Sequence, residues 1–93
     1  MAIGIRLKID GGTAEIMDQL NAAIDPAGNP PDGVIFHASG PVEGGWGVLD
    51  FWESRAHFDR FVQERIGPAM ASVGLDGGPP EIHEFPVHEY FPR

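Results

Sequence analysis

The chain has 93 residues, no cysteine and a formal net charge of −8, six Lys and Arg set against fourteen Asp and Glu. This length makes one domain, residues 1–93, with no room for two cores and with little surface buried on folding, so oligomerisation is the expected remedy once disulfides are excluded. The acidity argues against nucleic acid or anionic lipid as a partner, because both are held by Lys and Arg. No apolar run approaches the ~20 residues that cross a bilayer, and the N-terminus lacks the continuous apolar core of a signal peptide. A soluble cytoplasmic protein is the expectation.

Ile3, Ile5, Leu7 and Ile9 alternate with Ala2, Gly4, Arg6 and Lys8, the period of a strand. Asp10-Gly11-Gly12 ends it, and Thr13 can cap a helix whose apolar stripe is Ile16, Met17, Leu20, Ala23 and Ile24. The stretch Asp25–Gly33, rich in proline and glycine, reads as a loop. Two apolar strands follow, Val34–Ser39 and Trp46–Trp52, joined by Gly40 to Gly45; the glycine-rich run from Gly40 to Gly47 reads as a flexible hairpin tip, a candidate gate. Ser54 then caps a second helix carrying Phe58, Phe61, Val62, Ile66, Ala69, Met70 and Val73, with a kink or break expected at Gly67-Pro68. Gly74–Pro80 reads as a loop and Glu81–Phe91 as a last strand, placed at an edge by Pro86.

The order β-α-β-β-α-β predicts an α+β, ferredoxin-like fold: a four-stranded antiparallel sheet with both helices on one face. Parity then places Ile3, Ile5, Leu7, Ile9, Val34, Phe36, Ala38, Leu49, Phe51, Phe85 and Val87 beneath the helices. The open face inherits Gly4, Arg6, Lys8, Ile35, His37, Ser39, Trp46, Val48, Asp50, Trp52, Glu84, Pro86 and His88. Two tryptophans left in water would be an aggregation hazard, so a second copy of the chain is expected to cover that face, with a small-molecule cleft lined by its polar members.

The run Val48-Leu49-Asp50-Phe51-Trp52-Glu53-Ser54-Arg55, followed by Phe58 and Phe61, resembles the dimeric α/β-barrel superfamily near its antibiotic biosynthesis monooxygenase-like group. That resemblance implies a homodimer with one cavity per subunit, and an activity such as cofactor-independent oxygenation of an aromatic or polyketide-like substrate. Haem-degrading members of the superfamily use an asparagine on the first strand and a tryptophan and a histidine on the second helix. Here that strand has no asparagine, and Phe61 and Ala71 stand near the other two positions, so no haem or other cofactor is expected.

His37, mid-strand in an apolar segment, is the candidate proton acceptor; the plainer alternative is a histidine satisfied by a neighbouring carboxylate. Trp52 and, less directly, Trp46 can stack on a flat ligand or simply fill a core. Arg6 and Asp50 are expected to face each other as orienting groups or as a structural salt bridge. His88 is a secondary site candidate. His83 and His88 are spaced for neither a strand face nor the helical zinc pattern, so no metal is expected. Two further readings stand beside the oxygenase: a non-catalytic ligand-binding or stress-related module, and an interaction protein whose cavity is filled by side chains.

Overall fold

The computed structural model describes residues 2–25, 28–74 and 80–91. Strand β1 (Ile3–Asp10) leads into helix α1 (Ala14–Ile24), then the hairpin of β2 (Val34–Val42) and β3 (Gly45–Trp52). Helix α2 (Arg55–Phe61), a π-helical turn (Val62–Ile66) and helix α3 (Gly67–Ser72) follow one another without a break, and β4 (Ile82–Pro86) completes the sheet. The strands lie in the order β2-β3-β1-β4, every neighbouring pair antiparallel, which is the ferredoxin-like arrangement.

Local chemistry sets the helix starts. Thr13 Oγ1 accepts from the backbone N–H of Ile16, and Ser54 Oγ accepts from that of His57, each satisfying a donor the first turn would otherwise leave free. The expected break at Gly67-Pro68 is a π turn instead. Pro68 has no N–H and its ring would crowd the carbonyl four residues back, while Gly67 N–H reaches Val62 O one residue farther than an α-helical bond would. The expected flexible tip is instead mostly strand: β2 and β3 extend into it, leaving a turn at Glu43-Gly44 with Gly44 at φ 79°. The last strand stops at Pro86, short of the expected Phe91. Pro26, Ala27 and most of the expected Gly74–Pro80 loop lie outside the described residues.

The helices cover one face of the sheet, but not over the residues parity assigned. On β1 the reading holds: Ile5 is fully buried, and Ile3, Leu7 and Ile9 pack towards the helices. Register pairs Ile3 with Trp52, Ile5 with Asp50, Leu7 with Val48 and Ile9 with Trp46, and directly paired residues share a face. Trp46, Val48, Asp50 and Trp52 therefore lie beneath the helices, not on the open face. Trp52 is buried with Ile5 and Phe58, its ring 5.4 Å from that of Phe61. On β2, His37 pairs with Asp50 and Ser39 with Val48, so these two are also on the helix side. A bulge between Val34 and Phe36 keeps Val34 there while turning Phe36 out. On β4, Glu84 lies opposite Ile5 and Pro86 opposite Ile3, so both join the helix side, whereas Phe85 lies opposite Gly4 on the open face.

The physical reason is size. The alternating sets on β3 are both apolar, and burying two indoles removes more surface from water than burying Leu49 and Phe51. The open face is apolar all the same: Phe36, Leu49 and Phe85 are 45, 36 and 42% exposed, and the Phe36 and Phe51 rings stand 5.5 Å apart. The Phe85 ring occupies the space a side chain at Gly4 would need, which fits glycine to that position.

Candidate functional site

Between the helices and the sheet lies a cavity of about 550 Å³. Leu7 and Val48 form part of its floor, Met17, Leu20 and Ile24 of α1 one wall, and Phe58, Val62, Ile66 and Met70 the other. The second wall uses positions four apart. In a regular α-helix such positions drift round the axis by about 40° per step; the wider π turn slows that drift and keeps Val62, Ile66 and Met70 turned inward.

His37 and Asp50 are the only titratable side chains on the cavity wall among the described residues. They meet across β2 and β3, with His37 Nδ1 2.5 Å from Asp50 Oδ1. The other carboxylate oxygen, Oδ2, accepts from Trp52 Nε1–H at 3.2 Å. Asp50 is 5% exposed and the only buried charged residue among those described, whereas the His37 side chain is 46% exposed. The pair thus runs from the buried floor to the open rim. The hydrogen bond to Asp50 raises the pKa of His37 above its ordinary 6.5, outweighing partial desolvation, which acts the other way; the carboxylate charge adds to the rise. Asn21 and Ser39 also line the cavity. Asn21 borders the apolar stripe of α1 and gave no signal beyond that, and Ser39 stands two residues from His37 on the same strand face.

The other sequence candidates are distributed differently. Arg6 pairs in register with Leu49 and His83, on the open face, while Asp50 points the opposite way, so the expected Arg6–Asp50 pair does not form. The geometry is decided by strand parity: Asp50 is opposite Ile5, one residue from the expected register. Trp52 lines the cavity, but Trp46 packs against the α1 cluster, its Nε1–H buried without a partner among the described residues. His88 is exposed beyond the end of β4 and off the cavity wall. Among the described residues no three His, Cys, Asp or Glu stand close enough together to hold a metal ion, and no helix is long and apolar enough to cross a membrane.

Neither a family model nor a curated protein sequence matches the chain. Solved structures do. A proposed antibiotic biosynthesis monooxygenase from Caulobacter crescentus superposes with a TM-score of 0.73 at 18% identity, over 95% of this chain and 91% of that one. Rv0793 from Mycobacterium tuberculosis gives a TM-score of 0.67 at 16% identity, covering 99% and 100% of the two chains. SnoaB from Streptomyces nogalater, described as a cofactor-independent oxygenase, gives 0.63 at 14% identity over 99% and 97%. The chain shares its ferredoxin-like α+β fold with these structures, the proposed antibiotic biosynthesis monooxygenase among them.

Proposed function

We propose that the chain is a homodimeric small-molecule-binding protein that oxygenates a flat, largely apolar aromatic or polyketide-like substrate without a cofactor. The observation that carries this reading is one ionisable pair, His37–Asp50, set in the wall of a largely apolar cavity of about 550 Å³ whose other polar side chains are Asn21 and Ser39 among the described residues. Apolar walls with a few fixed polar groups suit a drug-sized aromatic molecule, and a lone histidine at the rim suits a single proton transfer. The fold shared with a cofactor-independent oxygenase supports the same chemistry. Homodimerisation rests on the uncovered Phe36, Leu49 and Phe85, and a cytoplasmic location is part of the proposal.

In this mechanism Nε2 of His37 takes a proton from a CH₂ group flanked by aromatic rings, and the carbanion reacts with dioxygen. One oxygen atom stays as a carbonyl and the other leaves as water with the two hydrogens. The substrate supplies all four electrons, so the balance requires no further reductant. Trp52, almost fully buried against Phe58 and Phe61, backs the cavity floor instead of offering the free stacking face expected of it.

Anthrone serves as the test substrate, with oxygen uptake followed at an electrode. The wild-type dimer is expected to consume oxygen and anthrone one to one, and His37→Ala to lose at least about a hundredfold in rate while remaining dimeric. Uptake no faster than in buffer overturns the oxygenase reading. Binding without uptake would favour the non-catalytic ligand-binding module instead.

A further inference from the structure

A carboxylate at position 50 has no use in building the core. Its neighbours on the same strand face, Val48 and Trp52, are apolar, and a buried charge held by an ion pair is on average no more stable than a well-packed hydrophobic residue. Both Asp50 oxygens are committed. Oδ1 faces His37 Nδ1 and Oδ2 receives the indole N–H of Trp52, itself almost fully buried and packed against Phe58. The carboxylate is therefore clamped by the rigid floor while the imidazole it holds reaches the rim. Among the described residues no protein group hydrogen-bonds His37 Nε2.

We propose that Asp50 is a positioning residue: by accepting the Nδ1–H of His37 it fixes one tautomer, so that Nε2 alone, with its lone pair, serves the cavity. Trp52 is the tether that fixes Asp50 in turn. This rests on the reading of His37 as proton acceptor, but its first test needs no substrate. A neutral imidazole carries one N–H, and the hydrogen bond made by one ring nitrogen decides the state of the other.

The tether gives the proposal a test with a definite sign. In Asp50→Asn the indole N–H still demands an oxygen, so the amide oxygen turns to Trp52 and the NH₂ is left facing His37 Nδ1. That arrangement forces Nδ1 to accept and moves the proton to Nε2, removing the lone pair from the cavity. Nitrogen-15 NMR of the full chain above the His37 titration is expected to show Nδ1–H as the main tautomer in wild type and Nε2–H in Asp50→Asn. The double variant Asp50→Asn, Trp52→Phe frees the amide to turn, and should recover a substantial Nδ1–H fraction. Wild type with mainly Nε2–H, or Asp50→Asn with unchanged tautomer, overturns the proposal; no recovery in the double variant overturns the tether.

Should Asp50→Asn fail to fold, Trp52→Phe alone decides. Without the indole donor the carboxylate leans wholly on the imidazole, and the His37 titration is expected to move up; no movement counts against the clamp. Among the described residues His37 and Asp50 are the only titratable groups on the cavity wall, so the shift has one source there. Anthrone-dependent oxygen uptake measured on the same variants separates the two questions. A tautomer switch with no wild-type turnover leaves the positioning role standing and sinks the oxygenase; turnover with no switch does the reverse. Where both hold, kcat is expected to fall at least tenfold in Asp50→Asn with KM for anthrone little changed.

Discussion

At the scale of single residues, the short contact between His37 and Asp50 makes the protein's behaviour depend on pH in two opposed ways. Folding raises the His37 pKa above its unfolded value near 6.5, so the folded state binds the proton more tightly. The stabilisation this gives is complete below the unfolded value and disappears as pH rises through the folded one. Urea denaturation should therefore find wild type more stable than His37→Gln in mildly acid solution, with the gap narrowing towards alkaline pH; a gap that widens instead would show the pair to be misjudged. A proton acceptor has the opposite requirement, because it must be neutral to act. Anthrone turnover is expected to rise with pH and level off above the raised His37 value.

At the scale of elements, the second helix is a continuous rod assembled from α2, the π turn and α3, and its start is the part most open to a simple test. Ser54 Oγ accepts from the His57 backbone and also lies 2.7 Å from His57 Nδ1, so two contacts hold the first turn. Replacing it by alanine is expected to cost about 1 kcal/mol in urea unfolding without altering the His37 titration. A loss near zero would mean that packing of Phe58 and Phe61 sets this end of the helix alone. Both helices, their caps and the alternation of β1 were legible in the sequence, because each rests on a local pattern. The faces of β2 and β3 were not. Leu49 and Phe51 compete with Trp46, Val48 and Trp52 for the covered side, and only the helices decide between them. Asp50 shares the parity of Trp46, Val48 and Trp52, so its face follows theirs, and nothing local reveals that its partner lies on the next strand. The bulge at Val34–Phe36 then reversed part of β2 without any proline or glycine to announce it. His37 was legible as an ionisable group in an apolar strand, but parity alone pairs Asp50 with Arg6, where the register sets it opposite His37.

At the scale of the whole molecule, the sheet keeps helices on one side and leaves Phe36, Leu49, Phe51 and Phe85 on the other. A small chain with so much apolar surface uncovered gains by meeting a copy of itself, and a two-fold contact is the commonest solution. Sedimentation at micromolar concentration should give a dimer for wild type and a monomer for Leu49→Lys, whose ammonium would sit in the middle of that contact. A wild-type monomer would remove this part of the proposal while leaving the cavity untouched, since the two lie on opposite sides of the sheet.

That separation has a consequence for the life of the protein. The cavity of about 550 Å³ lies in the same layer as the buried Ile5, Trp52 and Phe58, between the helices and the sheet. A guest bound there, as proposed, would touch helices and sheet together and favour the folded form by mass action. The amount of protein that survives in a cell would then follow the supply of its own ligand, and scarcity of the guest would thin out the host.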